Sequence, residues 1–364
     1  MDTWPDPPPQ ALARLVIAAR NWCRRWVAEL VPGLTVFEDT IGAANTQVLA
    51  LVARHNIADR LEERPQTAAE LAGELGLQAE PLHRLLRGMC TRGYFRMDKN
   101  GRFSNSRLSR VLLSSNPELT KDFCEYFAGS SNVAAWQHLE GVLRTGQDAF
   151  TASYGMTFWD WTASRPEEQS RFALAMHSQT VMYAATIATT YPFNEVGNIC
   201  DLGGGQGGLL SEVALRHLHL RLTLYETAGV LEKAAQFLQT RGVCQRIERM
   251  AGNLFDSVPV AYQLYMLKNV LHDWDDEACL VILDNVRHAM LPDSRLLIIE
   301  FILERNQADS LGALNDLQMM VVTAGGRERS LADFDALLAR ARLRRSRLWH
   351  TATMSLLEAR LAAD

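Results

Sequence analysis

The segment Asp201-Leu-Gly-Gly-Gly-Gln-Gly constrains the fold of this chain more than any other stretch. It follows an apolar run, residues 196–200, and precedes residues 209–216, which we predict as a helix. This order predicts a buried strand, a glycine-rich turn and a helix. Glycine has no Cβ, so such a turn allows backbone N–H groups to approach a ligand closely.

Two acidic residues near this turn indicate the kind of ligand that it holds. The spacing of Gly203, Gly205 and Gly208 fits a nucleotide-binding fingerprint, and Glu226 follows at about the ~20-residue distance where a carboxylate meets a ribose diol. Asp201 would repel the pyrophosphate of a nicotinamide cofactor. A nucleoside with a cationic tail tolerates or favours that negative charge, and S-adenosylmethionine is such a ligand.

Composition narrows the classes of partner. The chain has 364 residues, 48% hydrophobic and 22% charged, which is enough for two domains with real cores. The net charge of −5 argues against nucleic acid as a partner, because phosphate binding usually requires a basic domain. Six scattered cysteines predict reduced thiols in a cytoplasmic protein. The acidic, proline-rich start is not a signal peptide, and no apolar run approaches the ~18 residues of a membrane helix, so we expect no membrane partner.

The N-terminal third predicts helices followed by a hairpin. Residues 40–92 have helical patterns, with a capping box from Thr67 to Glu70. Asn100-Gly101 lies between two short segments and is a strong hairpin signal. Three helices and a hairpin are typical of a winged helix, which we assign to residues 1–115.

The rest of the chain predicts a Rossmann-like α/β domain. Residues 117–190 have helical patterns rich in aromatic side chains, and strands and helices alternate from Gly197 onward. We predict strands at residues 197–201, 221–226, 247–251, 262–268, 295–300 and 344–350. Because helices lie between them, the sheet is expected to be mainly parallel and doubly wound, within a second domain of residues 116–364.

Five stretches together resemble a known family. They are residues 82–87, residues 158–161 with 175–177, the glycine turn, residues 271–277 and residues 325–330. In combination they are similar to the small-molecule O-methyltransferases that carry an N-terminal winged-helix dimerisation domain, a group of plant caffeate-type and bacterial natural-product tailoring enzymes. The resemblance covers roughly residues 40–340, and its motifs together are far more specific than a glycine fingerprint alone.

The resemblance implies an S-adenosylmethionine-dependent enzyme that methylates a hydroxyl, expected to be phenolic, of a small aromatic natural product, with S-adenosylhomocysteine as the second product. Alternatives are N- or C-methylation, or a relative that keeps the cofactor for hydroxylation, decarboxylation or a pericyclic reaction. A third alternative is a winged-helix regulator that senses the cofactor, although the acidic net charge opposes DNA binding.

The expected catalytic residues are His272, Glu300 and Glu328. His272 follows a predicted strand, and ligands of open α/β sheets lie outside the carboxyl ends of the strands. By resemblance, His272 is the general base of an in-line transfer, and the two glutamates orient its ring and stabilise its protonated form. The alternatives are a packed or helix-capping histidine, an arginine pair for Glu300 and a salt bridge from Glu328 to Arg327, Arg329 or a lysine.

By resemblance, the cofactor site extends beyond the turn and the two acids. The expected cofactor-binding residues are Asp201, Gly203, Gly204, Gly205, Glu226, Gly252, Asn253, Leu254, Phe255, Lys268 and Trp274. The family usually has aspartate where this chain has Asn253, whose amide oxygen can still accept from the adenine amino group. Trp274 would pack on adenine or lie in the core, and Lys268 would reach the cofactor or be a solvated strand end.

The acceptor pocket is expected to be lined by flat, apolar and adaptable side chains. The expected substrate-binding residues are Met176, Trp159, Asp273, Asn315, Met319 and Met320. Core packing is an alternative for the apolar ones, and a helix surface is an alternative for Asn315 and its neighbour Asp316. The acids at 275–277 fit a helix N-terminus, and no other cluster has convincing ligand spacing, so we expect no metal.

In the family that this chain resembles, the winged helix forms a homodimer by exchanging helices. We expect the same through residues 1–115, with exposed leucines of the third helix, residues 80–92, as a dimer surface. Arginines between residues 340 and 347 are expected to form a solvated face. Here the chain has Ala341-Arg-Leu, where the family usually has Ala-Gly-Phe.

Overall fold

The computed structural model describes residues 3–116, 120–303 and 311–363. The chain divides into two compact units. One comprises Val27–Val133 and Glu167–Val181, and the other comprises Met1–Trp26, Ala134–Pro166 and Met182–Asp364. The domain boundary that we place near residue 115 stays a prediction.

The N-terminal third is helical up to a hairpin, as predicted. Its helices are α1 (Gln10–Leu30), α2 (Pro32–Thr40), α3 (Gly42–Arg54), α4 (Ile57–Glu63), α5 (Ala68–Leu75) and α6 (Ala79–Thr91). Its strands are β1 (Gln66–Thr67), β2 (Phe95–Met97) and β3 (Arg102–Asn105), in the antiparallel order β1-β3-β2. The predicted capping box opens α5, since the side chains of Thr67 and Glu70 each bond to the other's backbone N–H.

The leucines of α6 are not a dimer surface, which corrects our expectation. Leu82 and Leu86 are buried with Met89 in a core that includes Phe95 and Phe103. The helical spacing is that of a face which packs on the hairpin. The exposed apolar side chains lie instead on α1 and α2, where no residue is buried. They are Leu12, Leu15, Val16, Trp22, Trp26, Val27, Leu30, Leu34, Val36 and Phe37.

A run of short helices and one long helix follows, so the helical prediction for 117–190 is confirmed where the structure describes it; residues 117–119 lie outside the described part. The helices are α7 (Thr120–Phe127), α8 (Ser130–Gln137), α9 (Leu139–Thr145), α10 (Ala149–Tyr154), α11 (Phe158–Ala163) and α12 (Pro166–Thr190). Gly146 and Gly155 end α9 and α10 with φ of 74° and 70°, a conformation that glycine adopts without strain.

A seven-stranded sheet forms the centre of the other unit. Its strands are β4 (Asn198–Leu202), β5 (Arg221–Glu226), β6 (Ile247–Ala251), β7 (Leu264–Lys268), β8 (Arg295–Glu300), β9 (Leu343–His350) and β10 (Ser355–Leu361). The order is β6-β5-β4-β7-β8-β10-β9. The first five strands are parallel, as predicted, whereas β10 is antiparallel to both of its neighbours. The sequence analysis missed β10, which inserts between β8 and β9.

Five helices connect or flank these strands. They are α13 (Gly208–Arg216), α14 (Ala228–Thr240), α15 (Asp276–Ala289), α16 (Leu311–Val322) and α17 (Leu331–Arg340). Nearly every residue of β4, β7 and β8 is buried, as expected for parallel strands covered on both faces. The carboxyl ends of β4 and β7 are adjacent at the point where the strand order reverses, which is where open α/β sheets bind ligands.

Two further observations bear on expectations from the sequence. Arg342, between α17 and β9, has φ of 54°, so the backbone keeps a left-handed conformation that favours the glycine usual in the family. Within the ranges that the structure describes, no helix combines the length and the apolarity needed to cross a bilayer.

Candidate active site

The glycine turn after β4 is a backbone cradle that excludes side chains. Gly203 and Gly205 have φ of 67° and 59°. A Cβ on Gly204 would lie 2.5 Å from Asp201 Oδ2 and 2.6 Å from Leu224 Cδ1, closer than side-chain atoms pack. The three glycines are therefore required by the conformation and crowding of the turn, which leaves its peptide groups open to a ligand.

Asp201 is a buried carboxylate near the end of β4. It is 1% exposed, and neither carboxylate oxygen has a hydrogen-bond partner within the described residues. Burial raises the pKa of Asp201 to about 7, against the opposing charge of Lys268. Burying an unpaired carboxylate is costly, so the arrangement favours a ligand that brings a donor or a positive charge.

Glu226 ends β5 and faces the same turn. Its carboxylate accepts the N–H of Gly205 at 3.2 Å and the N–H of Thr227 at 2.7 Å. Burial raises the pKa of Glu226, and these two N–H donors oppose that change. The two acids therefore flank the turn from adjacent strand ends, where the sequence analysis placed the nucleoside.

The loop after β6 contains the other residues that we predict to contact adenine. A Cβ on Gly252 would collide with the Tyr225 ring, which explains the glycine. The Asn253 Oδ1 accepts the N–H of Phe255 at 3.0 Å, and Asn285 donates to the Leu254 carbonyl at 2.8 Å. This loop is thus fixed by side-chain hydrogen bonds, and the contact of Asn253 with adenine stays a prediction.

Three aromatic rings meet beside this loop. Phe255 packs edge-on against Trp274, with ring centroids 4.7 Å apart. Trp159, from α11, stacks on Trp274 with centroids 5.8 Å apart and an interplanar angle of 22°. One residue that we predicted at the cofactor and one that we predicted at the acceptor are therefore in contact.

Lys268 ends β7 and links the two groups of acids electrostatically. Burial lowers the pKa of its ammonium, and the carboxylates of Asp201, Glu300 and Asp273 oppose that change. Asp201 belongs to the nucleoside end of the site, whereas Glu300 and Asp273 adjoin His272. The alternative of a fully solvated strand-end lysine does not hold, because the side chain is partly buried.

His272 lies in a buried 3-10 turn, Leu271–Asp273, just beyond β7. Its Nδ1 is 2.8 Å from Glu328 Oε1 and 3.4 Å from Glu300 Oε2, and its Nε2 is 3.5 Å from Asp273 Oδ1. Burial alone would lower the pKa of the imidazole, but these three carboxylates outweigh it and raise the pKa to about 10. Because an ionised carboxylate can only accept a hydrogen bond, Nδ1 carries a hydrogen and donates it in the hydrogen bond to Glu328.

Glu300 ends β8 and holds the turn that carries His272. Its Oε1 accepts the N–H groups of Val270 and Leu271 at 3.1 and 3.0 Å, while its Oε2 faces the imidazole. Burial raises the pKa of Glu300 to about 7 despite the opposing charge of His272. No arginine pairs with Glu300 among the residues that the structure describes, so the structural alternative for Glu300 is not observed.

Two glycines bring Glu328 to His272. Gly325 has φ of 82°, and a Cβ on Gly326 would lie 2.5 Å from the carbonyl oxygen of His272. The segment therefore passes directly against the turn that carries His272, and only glycine fits there. Glu328 then reaches His272 with its side chain 0% exposed. In the Gly-Gly-Arg-Glu-Arg motif, the two glycines are therefore required by the close packing, and Glu328 is required for its charge next to His272.

Arg329 is a site residue whose role the sequence analysis missed. It is 1% exposed and donates to the carbonyl oxygens of Leu271 at 2.7 Å and Trp274 at 2.9 Å. It also pairs with Asp276 at 2.7 Å. From the sequence, Arg329 is expected only as an alternative partner of Glu328, whereas in the structure it fixes the turn that carries His272. The sequence feature that could have indicated this role is that Arg329 directly follows Glu328 in the motif.

The other predicted acceptor residues lie at different places. Asp273 adjoins His272, and burial raises its pKa to about 6. The Asn315 side chain donates to Glu328 Oε1 at 2.5 Å. On the same helix Met319 is buried and Met320 is partly buried. Met176 belongs to the other compact unit.

The structure brings together possible metal ligands that are far apart in the sequence. Potential ligand atoms of His272, Glu300 and Glu328 lie within 4.8 Å of one another, and the expectation that no metal is needed stays a prediction. Intervals of 28 residues between these groups gave no recognisable ligand spacing. The acids at 275–277 do begin a helix as predicted, since Asp275 caps α15 by accepting the N–H of Ala278 at 2.8 Å.

Comparison with known proteins identifies the family. Residues 136–344 match the model of an O-methyltransferase domain, and residues 39–115 match an O-methyltransferase dimerisation domain. The chain therefore belongs to this family of O-methyltransferases. The predicted family and enzyme class are confirmed, and S-adenosylmethionine, the predicted cofactor, is the cofactor of this family.

Several relatives are similar over most of their length. The mitomycin biosynthesis 6-O-methyltransferase of Streptomyces lavendulae is 34% identical, over 85% of this chain and 88% of that protein. The crystal structure of LaPhzM has a TM-score of 0.86 at 30% identity and covers 90% and 99% of the two chains. The O-methyltransferase NcsB1 from neocarzinostatin biosynthesis, in complex with S-adenosylmethionine and 2-hydroxy-5-methyl naphthoic acid, has a TM-score of 0.73 at 29% identity, covering 88% and 96%.

Proposed function

We propose that this protein methylates a phenolic hydroxyl of a small aromatic natural product, with His272 as the general base. The observation that carries the proposal is the buried imidazole held by two glutamates just beyond β7, the strand next to β4, where Asp201 has no hydrogen-bond partner among the described residues. The relatives named above support the substrate class, since they act in mitomycin biosynthesis or bind a hydroxynaphthoic acid.

The residues present fit S-adenosylmethionine. Asp201 and Glu226 offer carboxylates to a cationic nucleoside, the glycine turn offers backbone N–H groups, and Trp274 offers a ring face. Lys268 adds a positive charge for a carboxylate group. When bound, S-adenosylmethionine supplies an activated methyl group. The unpartnered oxygens of Asp201 are the strongest support, because they leave hydrogen-bond capacity for a ligand.

The electrostatics of His272 suit proton removal from a phenol. A free phenol has a pKa near ~10, which the carboxylates around His272 match by raising its pKa to about 10. Proton transfer between groups of matched pKa costs little, and a positioned base typically contributes ~10²–10⁴ in rate. In the neutral imidazole Glu328 holds the remaining proton on Nδ1, so Nε2 is the nitrogen that accepts.

The replacement His272→Gln tests this assignment. We expect turnover to fall by about 10²–10⁴-fold, while the affinity for S-adenosylhomocysteine, measured by calorimetry, stays within about threefold. In the parent enzyme kcat/KM should rise with pH from the neutral range towards about pH 10, because only the neutral imidazole accepts a proton and the pKa of His272 is raised to about 10. His288→Gln, at an exposed histidine of α15, is the matched control. Retained turnover in His272→Gln would remove His272 from the mechanism.

We also propose that the reaction needs no metal. The Nδ1 of His272 donates to Glu328, and Glu300 Oε1 accepts two backbone N–H groups. These hydrogen bonds already engage an atom of each residue in the cluster, so the geometry is accounted for by an imidazole between two acids.

We further infer a homodimer formed through the N-terminal domain. The matched dimerisation domain supports it, and so do the exposed apolar side chains of α1 and α2, which a partner would cover. A cytoplasmic location is supported by the six cysteines, all of which are free thiols. The absence of a nucleic-acid partner stays a prediction from the acidic net charge.

A further inference from the structure

Asn315 contacts the catalytic acid rather than standing apart from it. Its Nδ2 donates to Glu328 Oε1 at 2.5 Å, and the same oxygen accepts the proton of His272 Nδ1 at 2.8 Å. One carboxylate oxygen therefore receives two donors, one from α16 and one from the catalytic turn. The negative charge on that oxygen is therefore stabilised by an amide donor and by an imidazole donor.

The rest of Glu328 is held by the next residue of the same helix. The backbone N–H of Glu328 donates to Asp316 Oδ1 at 2.8 Å. The second carboxylate oxygen, Oε2, is buried and has no hydrogen-bond partner within the described ranges. The orientation of the carboxylate therefore depends on the two donors to Oε1, and only the Asn315 donor keeps the same charge when His272 gains or loses a proton.

We propose that Asn315 is a positioning residue, which fixes the Glu328 carboxylate toward His272 and weakens its hold on the imidazole proton. The part of this inference that concerns rate rests on the proposed function. When His272 is neutral, Glu328 has lost its charged partner, and the amide donor then stabilises it most. Removing the donor therefore favours the protonated imidazole, which makes the base harder to regenerate.

Other charged groups around His272 are unchanged by this substitution. Glu300 faces the ring from β8, and Asp273 faces it from its own turn. Lys268 acts on both of these acids from the end of β7, and Asp316 acts on Glu328 from α16. Because these groups stay in place, the effect of changing Asn315 isolates one hydrogen bond to Glu328.

The test compares Asn315→Leu and Asn315→Asp, which both remove the amide donor while approximately conserving size. The control is Gln318→Leu, about one turn further along α16, where the side chain bonds to Trp136 instead. Each variant is titrated by NMR, with the His272 ring signal identified by its loss in His272→Gln. We expect the His272 pKa to rise by about 0.5–1 unit in Asn315→Leu, more in Asn315→Asp, and not in the control.

Kinetics then separate this role from binding of the acceptor. We expect kcat/KM at neutral pH to fall by about 3–10-fold in Asn315→Leu and to recover at higher pH, with the acceptor KM unchanged. A raised acceptor KM with an unmoved pH profile would overturn the proposal and make Asn315 a substrate ligand. Lower thermal stability with an unmoved His272 pKa would also overturn it. A shifted His272 pKa without any change in the rate profile would support the positioning role and refute His272 as the base.

Discussion

Two buried carboxylates, one before and one after the glycine turn, differ in their hydrogen-bond and ion-pair partners. Glu212, in α13, is 0% exposed and accepts Arg216 at 2.6 Å, Arg241 at 2.9 Å and the backbone N–H of Trp4 at 3.1 Å. The Trp4 ring in turn lies 4.2 Å from the Arg241 guanidinium. Asp201, equally buried, has no protein donor in the described part of the chain.

The difference separates stability from function. Glu212 ties an N-terminal segment to α13 and α14, and every charge in that network has an opposite partner. Asp201 stores an uncompensated charge where a cationic ligand can compensate it. Buried polar groups in native proteins are almost always satisfied, so a carboxylate with two unsatisfied oxygens requires an explanation, and a bound cofactor is the one that we propose for Asp201.

The largest effect on stability is expected from breaking the satisfied cluster. Glu212→Gln leaves the Arg241 guanidinium without a carboxylate and leaves Arg216 with only the exposed Asp6. Breaking a buried pair costs about 3 kcal/mol or more. Urea unfolding should show this loss, while S-adenosylhomocysteine affinity of the folded protein changes little. Glu232→Gln, at an exposed position of α14, is the control and should be near neutral. Equal stability of the two variants would show that the Glu212 network is not structural.

The opposite change is expected at Asp201. Asp201→Asn removes a buried charge, so the ligand-free protein should gain about 1–2 kcal/mol at pH 7, less than the full value because the amide is also buried. S-adenosylmethionine affinity should fall by about tenfold or more, measured by calorimetry. A variant that binds the cofactor normally would show that the unpartnered carboxylate has no ligand role.

The pH dependence gives this prediction a sign. Burial raises the pKa of Asp201 to about 7 in the folded protein, whereas an unfolded aspartate titrates near ~4. The folded form therefore binds a proton that the unfolded form releases between these values. Asp201 costs stability as pH rises from about 4 to 7, so the advantage of Asp201→Asn should grow across that window and then level off.

The sequence predicted this fold where the signals are local. The strand predictions at 221–226, 247–251 and 295–300 match β5, β6 and β8, and apolar runs between turn residues define β5 and β8. The strand β10 was missed because its place between β8 and β9 depends on pairing with distant strands. Likewise, the periodicity of α6 showed an apolar face but not that the hairpin covers it.

The site shows the same limit. His272, Glu300 and Glu328 were named through motifs, but their assembly depends on two strand ends and on a glycine segment that passes against a turn. No spacing along the chain indicates that Asn315 and His272 would share one oxygen of Glu328, or that Arg329 would bind the carbonyl oxygens of the catalytic turn. These contacts are set by tertiary packing alone.

The smallest effect is expected at Arg342, which belongs neither to the Glu212 network nor to the site around Asp201. It tests whether backbone strain elsewhere in the fold also affects function. Arg342 has φ of 54°, which costs a residue with a Cβ about 1–2 kcal/mol, while glycine costs about 0.4–1 kcal/mol through the unfolded chain. Arg342→Gly should therefore stabilise the protein by about 0.5–1 kcal/mol in urea unfolding, without loss of cofactor affinity. Arg344→Gly, on β9, should destabilise it instead, because glycine weakens a strand. We expect only Asp201→Asn to impair cofactor binding. If Arg342→Gly impaired it as well, a destabilising feature could no longer be taken as a mark of the ligand site.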